Sequence, residues 1–361
     1  MGAGLPRHGL IMTARFYADP IDPLELTTAS YASLIASPFV DEAIAGQAGH
    51  PVVVVRGDDG DELPSPGSLP VVVVWVGAEF AGGGPREADL VVGEADLVAL
   101  LDHIARAPLA ACSLAVLMRA MADVSVDAGL AMESAVYSTL QAGPEFESWR
   151  RTSPAGAASP AEAVGDDRPT VLIDRVDDDV VITLDRPDRH NAISTRLRDD
   201  LVATLAVPLA DPSVRSIVLR GNGPSFCSGG DLAEFGTRHD PASAHITRLA
   251  RSPARMIHRL RDRIIADVHG ATMGGGIEMA AFAGTVRARA DTRIALPEIG
   301  LGLIPGAGGT VSLSRRIGRQ RTTALALSGR SIDAATALRW GLIDEIADPA
   351  PTAIATYGGR P

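Results

Sequence analysis

Two rhythms of apolar and polar positions run along the chain. β-Branched runs bounded by Gly, Pro and Asp, at residues 52–55 and 71–76, predict buried strands. From Ala95 the apolar positions take helical spacing, with Leu97, Leu100, Leu101 and Ile104 on one face. Residues 127–140 repeat it with Leu130, Val136, Tyr137 and Leu140, and Gly143-Pro144 predicts the stop. Each stripe reads first as a core-packing face. Further on, residues 171–176 and 180–184 predict two strands around the acidic turn Asp177-Asp178-Asp179. Residues 194–209 predict a helix, 216–219 and 264–268 buried strands, 293–296 a short strand, and a helix is expected to start at Ile277. Strands alternating with helices give an α/β class, and no short solenoid repeat is present.

A Ser-, Pro-, Ala-, Gly- and Asp-rich stretch, residues 152–169, reads as a linker between an N-terminal region (1–151) and a C-terminal region (170–361). With 361 residues, 46% of them hydrophobic and 21% charged, the chain is long and apolar enough to bury a large core. A net charge of −11 argues against nucleic-acid and anionic-membrane partners. The sequence contains no lysine. Phosphate contacts must therefore come from Arg, His or backbone N–H groups, and Schiff-base chemistry has no amine to use. Cys112 and Cys227 are too few for a disulfide framework or a zinc site, and no metal is expected. Cys227 is expected to be a small buried hydrophobe. The first 15 residues lack the apolar stretch of a signal peptide, and no run approaches the roughly 20 apolar residues of a membrane span. A cytoplasmic protein without membrane partners is expected.

Three glycine-rich segments carry the candidate chemistry: 225–232 (SFCSGGDL), 269–278 (HGATMGGGIE) and 297–310 (PEIGLGLIPGAGGT). Glycines after a strand let the backbone approach a ligand and aim N–H groups outward, often at a helix N-terminus. Two such loops can direct two N–H groups at one carbonyl oxygen. Glu278 closes the second segment and Glu298 opens the third. Two carboxylates beside such a pair of amides suit proton transfer next to a carbonyl. Taken singly, a triple glycine is more often a tight turn, and a glutamate early in a helix more often a capping charge.

Taken together and in order, these segments resemble the enoyl-CoA hydratase/isomerase (crotonase) superfamily across residues 170–348. The resemblance also runs through 184–192 (LDRPDRHNA), 327–330 (LSGR) and 334–342 (AATALRWGL). It implies a crotonase-like ββα spiral, with the backbone N–H groups of Gly230 and Gly275 as an oxyanion hole for a thioester carbonyl. It implies Glu278 and Glu298 as the two catalytic glutamates, and coenzyme A contacts at Arg189, His190, Ala192, Gly229, Gly230, Asp231, Leu232, Ala233 and Gly275. His190 and Arg189 replace the family's usual Leu and Lys, although Arg serves a phosphate well. Coenzyme A enters as part of the substrate and no separate cofactor is implied. A homotrimer or hexamer is the assembly the family suggests.

The expected activity is hydration of a 2-enoyl-CoA to a 3-hydroxyacyl-CoA. Double-bond isomerisation, thioester hydrolysis and non-catalytic acyl-CoA binding remain as alternatives, while the loops lack the G-x-G-x-x-G pattern of a dinucleotide site. Family members continue in helices beyond the segment matching 341–343. Here that pattern occurs upstream, at 107–121, 126–133 and 145–146. The N-terminal region is therefore expected to be a degenerate or permuted crotonase-like segment whose helices complete the fold.

Overall fold

The Val-rich runs form strands that are buried on both faces, which is why they read as continuous rather than alternating apolar runs. The computed structural model describes residues 21–45, 49–58, 60–77, 80, 83–153, 168–237 and 240–347. Most of the expected linker and everything after residue 347 lie outside these. Strands β1 (Leu24–Thr27), β2 (Val52–Arg56), β3 (Val72–Gly77) and β4 (Leu90–Gly93) form a parallel sheet in that order. Val53, Val55, Val73 and Val91 pack on Tyr31 of α1 (Thr28–Ile35) and Ile44 of α2 (Val40–Ala45). Val52, Val54, Val72, Val74 and Leu90 face the main core.

Four helices follow: α3 (Glu94–Ala105), α4 (Pro108–Ala120), α5 (Val126–Gln141) and α6 (Pro144–Thr152). Their ends follow from local chemistry. The Ser125 hydroxyl accepts from the Ala128 N–H to cap α5, and Pro opens α4 and α6, where no N–H is needed. Among the described residues no single helix is long and apolar enough to cross a membrane.

The C-terminal region opens with the antiparallel pair β5 (Val171–Val176) and β6 (Asp179–Leu184). Next come α7 (Thr195–Ala210), β7 (Ser216–Gly221), α8 (Pro241–Ala250), α9 (Pro253–Arg259), β8 (Ile264–Val268), β9 (Ala271–Met273) and α10 (Gly275–Ala280). The chain continues through β10 (Thr285–Ala288), β11 (Arg293–Ala295), α11 (Gly309–Ile317), α12 (Arg319–Ser328), β12 (Ile332–Asp333), α13 (Ala334–Trp340) and β13 (Glu345–Ile346). One sheet has the order β13-β10-β8-β7-β6-β5 and a smaller one the order β12-β11-β9. From β8 to β9, and again from β10 to β11, the chain steps from the large sheet to the small one, so successive turns stack as a spiral.

The N-terminal sheet is separate from both. Even so, one hydrophobic cluster runs through both regions, with α12 packed on α3, α4 and β4, and α5 packed on α8 and α11. The helix expected at Ile277 begins instead at Gly275. Its first turn is glycine because another chain segment crosses it: a Cβ on Gly276 would lie 2.5 Å from the Cys227 carbonyl oxygen.

Candidate active site

Two isolated bridges fix the first glycine segment. Cys227 accepts from the Met273 N–H at 3.0 Å, and Gly229 accepts from the Ile193 N–H at 2.8 Å. The carbonyl and amide of a trans peptide point opposite ways, so the Gly229 carbonyl bonded to Ile193 turns the Gly230 N–H to the other side. The same logic applies at α10. The Gly274 carbonyl accepts from Glu278 N at 2.9 Å, leaving the Gly275 N–H pointing out of the helix start, where such groups are free for a ligand. The two backbones lie close: a Cβ on Gly229 would sit 3.7 Å from Gly275 N.

Gly230 and Gly275 border a cavity of about 240 Å³, and Glu278, Glu298, Tyr137 and Glu133 border it too. All four groups expected to act on substrate thus meet in one place. Of the other expected contacts, Asp231 lines the cavity but is engaged, pairing with Arg186 at 3.1 Å and capping the following turn at Ala233 N. Arg189, His190, Ala192, Gly229, Leu232 and Ala233 lie outside the cavity wall, and Arg189 and His190 face solvent. The His190 ring lies 3.0 Å from the Ser225 hydroxyl. Cys227 is fully buried and its thiol is pushed up to about 12 by burial, as a packed hydrophobe should be.

The carboxylates have opposite surroundings. Glu278, 1% exposed, accepts from the N–H groups of Ala307 (2.7 Å) and Gly309 (2.8 Å) through one oxygen. Burial raises its pKa to about 7 while the backbone donors oppose that rise. Glu298 is also buried, but its Oε2 has no hydrogen-bond partner. Burial first, and the Glu278 charge second, hold its pKa well above the usual carboxylate range. These environments favour the proton on Glu298 and the negative charge on Glu278.

Glu133 was not among the expected site residues. It reaches the cavity from α5, with one oxygen accepting from Gly308 N, just before α11, and the other from the Thr310 N–H and hydroxyl in its first turn. A signal was present: Glu133 falls on the apolar stripe between Leu130 and Tyr137, where a lone charge is costly unless it has work to do.

The crossing at Gly276 yields a test. A methyl group there must push the Cys227 backbone away, separating the Gly230 and Gly275 amides. Gly276→Ala is expected to cost about 1–3 kcal/mol of stability in urea denaturation. A variant as stable as the parent would show that the crossing has slack.

The model of the enoyl-CoA hydratase/isomerase family matches residues 179–352. A mevalonyl-coenzyme A hydratase of Beauveria bassiana is 37% identical over 175 residues, covering 46% of this chain and 62% of the relative. The chain thus spans less than two thirds of that relative's length. A 2,3-dehydroadipyl-CoA hydratase of Escherichia coli is 35% identical over 176 residues, covering 49% and 68%. The crystal structure of an enoyl-CoA hydratase from Thermoplasma volcanium aligns at 36% identity over 50% of this chain and 73% of that one, with a TM-score of 0.47. On the sequence match to two thirds of the Escherichia coli relative, this chain belongs to the enoyl-CoA hydratase/isomerase family.

Proposed function

We propose that the chain hydrates a 2-enoyl-CoA to a 3-hydroxyacyl-CoA. The observation that carries this reading is the convergence of two outward-facing amides with two buried carboxylates of opposite hydrogen-bond environment in one cavity. In the proposed step the Gly230 and Gly275 N–H groups donate hydrogen bonds to the thioester oxygen. Ionised Glu278 takes a proton from water as the water oxygen bonds to Cβ, and the displaced π electrons build enolate character on the oxygen held by the amides. Glu298 then delivers its proton to Cα. Each well-placed donor to such an oxygen is worth about 3–4 kcal/mol of barrier. Side-chain and main-chain groups suffice for these transfers, with coenzyme A entering as part of the substrate.

Isomerisation is the second reading, because Glu298, the carboxyl with an unpartnered oxygen, can in principle shuttle a proton between Cα and Cγ alone. The deciding experiment follows the absorbance of a panel of short, medium and aromatic 2-enoyl-CoA thioesters and tests 3-enoyl thioesters in parallel. Loss of the conjugated chromophore with appearance of the 3-hydroxy product is expected. Conversion of 3-enoyl substrates alone would replace hydration with isomerisation, and saturable binding without turnover would leave a binding protein.

A pH profile follows from the carboxylates. Glu278 works ionised, so kcat rises with pH through about 7 as it deprotonates. Glu298 works protonated, so kcat falls at higher pH as it ionises. The resulting bell should appear in kcat measured from pH 5 to 10. A flat acid side would remove Glu278 as the base.

The N-terminal region is proposed to act as a degenerate or permuted crotonase-like segment, with α4–α6 in the place of the family's closing helices. Support comes from the shared core and from the α5 residues on the cavity wall. Arg189, His190, Ala192, Gly229, Leu232 and Ala233 are proposed to meet the coenzyme A portion outside the cavity. A homotrimer or hexamer remains the proposed assembly.

A further inference from the structure

Four consecutive backbone amides lead into α11 and are divided alternately between two carboxylates. Ala307 and Gly309 donate to Glu278, at 2.7 and 2.8 Å. Gly308 and Thr310 donate to Glu133, at 2.7 and 2.9 Å, and the Thr310 hydroxyl adds a third bond at 2.6 Å. Gly308 has a φ of +107°, a conformation that favours glycine and lets neighbouring amides face opposite sides. Glu133 is 1% exposed and lies 175 residues before the amide it holds. Without it, two buried N–H groups would lose their acceptors. Orphaned amides of that kind are costly enough to turn a loop toward other partners, and any such turn carries the Ala307 and Gly309 amides away from Glu278.

We propose that Glu133 is a positioning residue for this site: from the rear of the loop it fixes the amides that orient Glu278, so the N-terminal region takes part in turnover. Both Glu133 oxygens are engaged, so it acts through the loop rather than on substrate. The proposal rests on acid–base chemistry at Glu278 and Glu298, and one of its readouts needs no substrate. The charged and titratable groups around Glu133 are Glu278 and Glu298 across the cavity and Tyr137 on its own helix. On the packed helices α8 and α9 they are His245, Arg248 and Arg255, the last paired with Asp127.

The test is Glu133→Gln in the full chain. An amide offers one acceptor oxygen and places an NH2 group against N–H donors. The expected result is a kcat lower by about 10- to 100-fold with KM nearly unchanged, the scale of a small misplacement of a catalytic group. The alkaline side of the bell should move to lower pH, because Glu133, whose own pKa burial raises to about 8, is ionised in that range and then helps keep Glu298 protonated. Amide hydrogen exchange should quicken by about 10-fold or more at Ala307 and Gly309, whose bonds go to Glu278 and not to Glu133. A purely structural cap would leave those two amides, and the pH profile, in place. If no enoyl thioester is turned over by the parent protein, the functional reading fails while the exchange readout still decides the positioning role. Thr310→Val, which deletes one bond to Glu133, should shift the same readouts by less and serves if Glu133→Gln does not fold. Unchanged kcat and unchanged exchange at Ala307 and Gly309 in a folded variant would overturn the proposal.

Discussion

Glu298→Gln is expected to lower turnover of a 2-enoyl-CoA by about 100- to 10,000-fold while leaving acyl-CoA binding intact. The amide keeps the shape and burial of the carboxyl but has no proton of suitable acidity to give. Glu298 is suited to the acid role because one of its oxygens is buried without a hydrogen-bond partner, and because burial and the neighbouring Glu278 charge both resist ionisation. A neutral carboxyl in that position lacks only something to protonate, and the Cα of a substrate held by Gly230 and Gly275 would supply it. The measurement is kcat together with incorporation of solvent deuterium at Cα, beside a binding isotherm for a saturated acyl-CoA. Turnover within a few-fold of the parent, with binding unchanged, would remove Glu298 from the chemistry. Glu278→Gln separates the two leading readings. In a hydratase it abolishes water addition as fully as Glu298→Gln. In an isomerase it spares proton movement between Cα and Cγ.

Much of this arrangement was legible in the sequence because its signals are local. The β-branched runs at 52–55 and 71–76, the strand pair around Asp177-Asp178-Asp179, and the helical stripes of α3 and α5 all sit within a few residues of the expected bounds. The three glycine segments announced the cavity for the same reason, since close backbone approach demands glycine at fixed places in the chain. What stayed hidden depends on contacts between distant segments. The start of α10 at Gly275 is set by the crossing of Cys227, and β12 and β13, at two residues each, are too short to show any periodicity. Glu133 was missed because its partners lie 175 and 177 residues away. Nothing within α5 says that they exist, beyond a charge standing on an apolar face.

Asp89→Ala is expected to destabilise the whole chain by about 3–5 kcal/mol, a large share of the 5–15 kcal/mol typical of a folded domain. Asp89 is fully buried at the start of β4. Its carboxylate accepts from Val73 N at 2.8 Å, pairs with Arg119 of α4, and pairs with Arg319 at the head of α12 at 2.9 Å. The guanidinium groups are committed to the same joint. Arg119 also donates to the Leu69 and Val71 carbonyls, and Arg319 to the Ala88 carbonyl. Deleting the carboxylate leaves two positive charges in a largely dry junction without their counter-ion, which costs far more than the pair itself contributes. Because Arg119 belongs to the N-terminal region and Arg319 to the C-terminal one, the loss falls on the seam between them. A double-mutant cycle of Asp89→Ala with Arg319→Met, read by urea denaturation at neutral pH, isolates the part of the energy that crosses the seam. A coupling above about 1 kcal/mol, with a single unfolding transition for both regions, is the result expected if the N-terminal sheet is part of one cooperative unit. Two separate transitions, with the second unmoved by Asp89→Ala, would make the N-terminal region an independent module. Glu133 and Tyr137 would then have to reach the cavity from a body free to leave it.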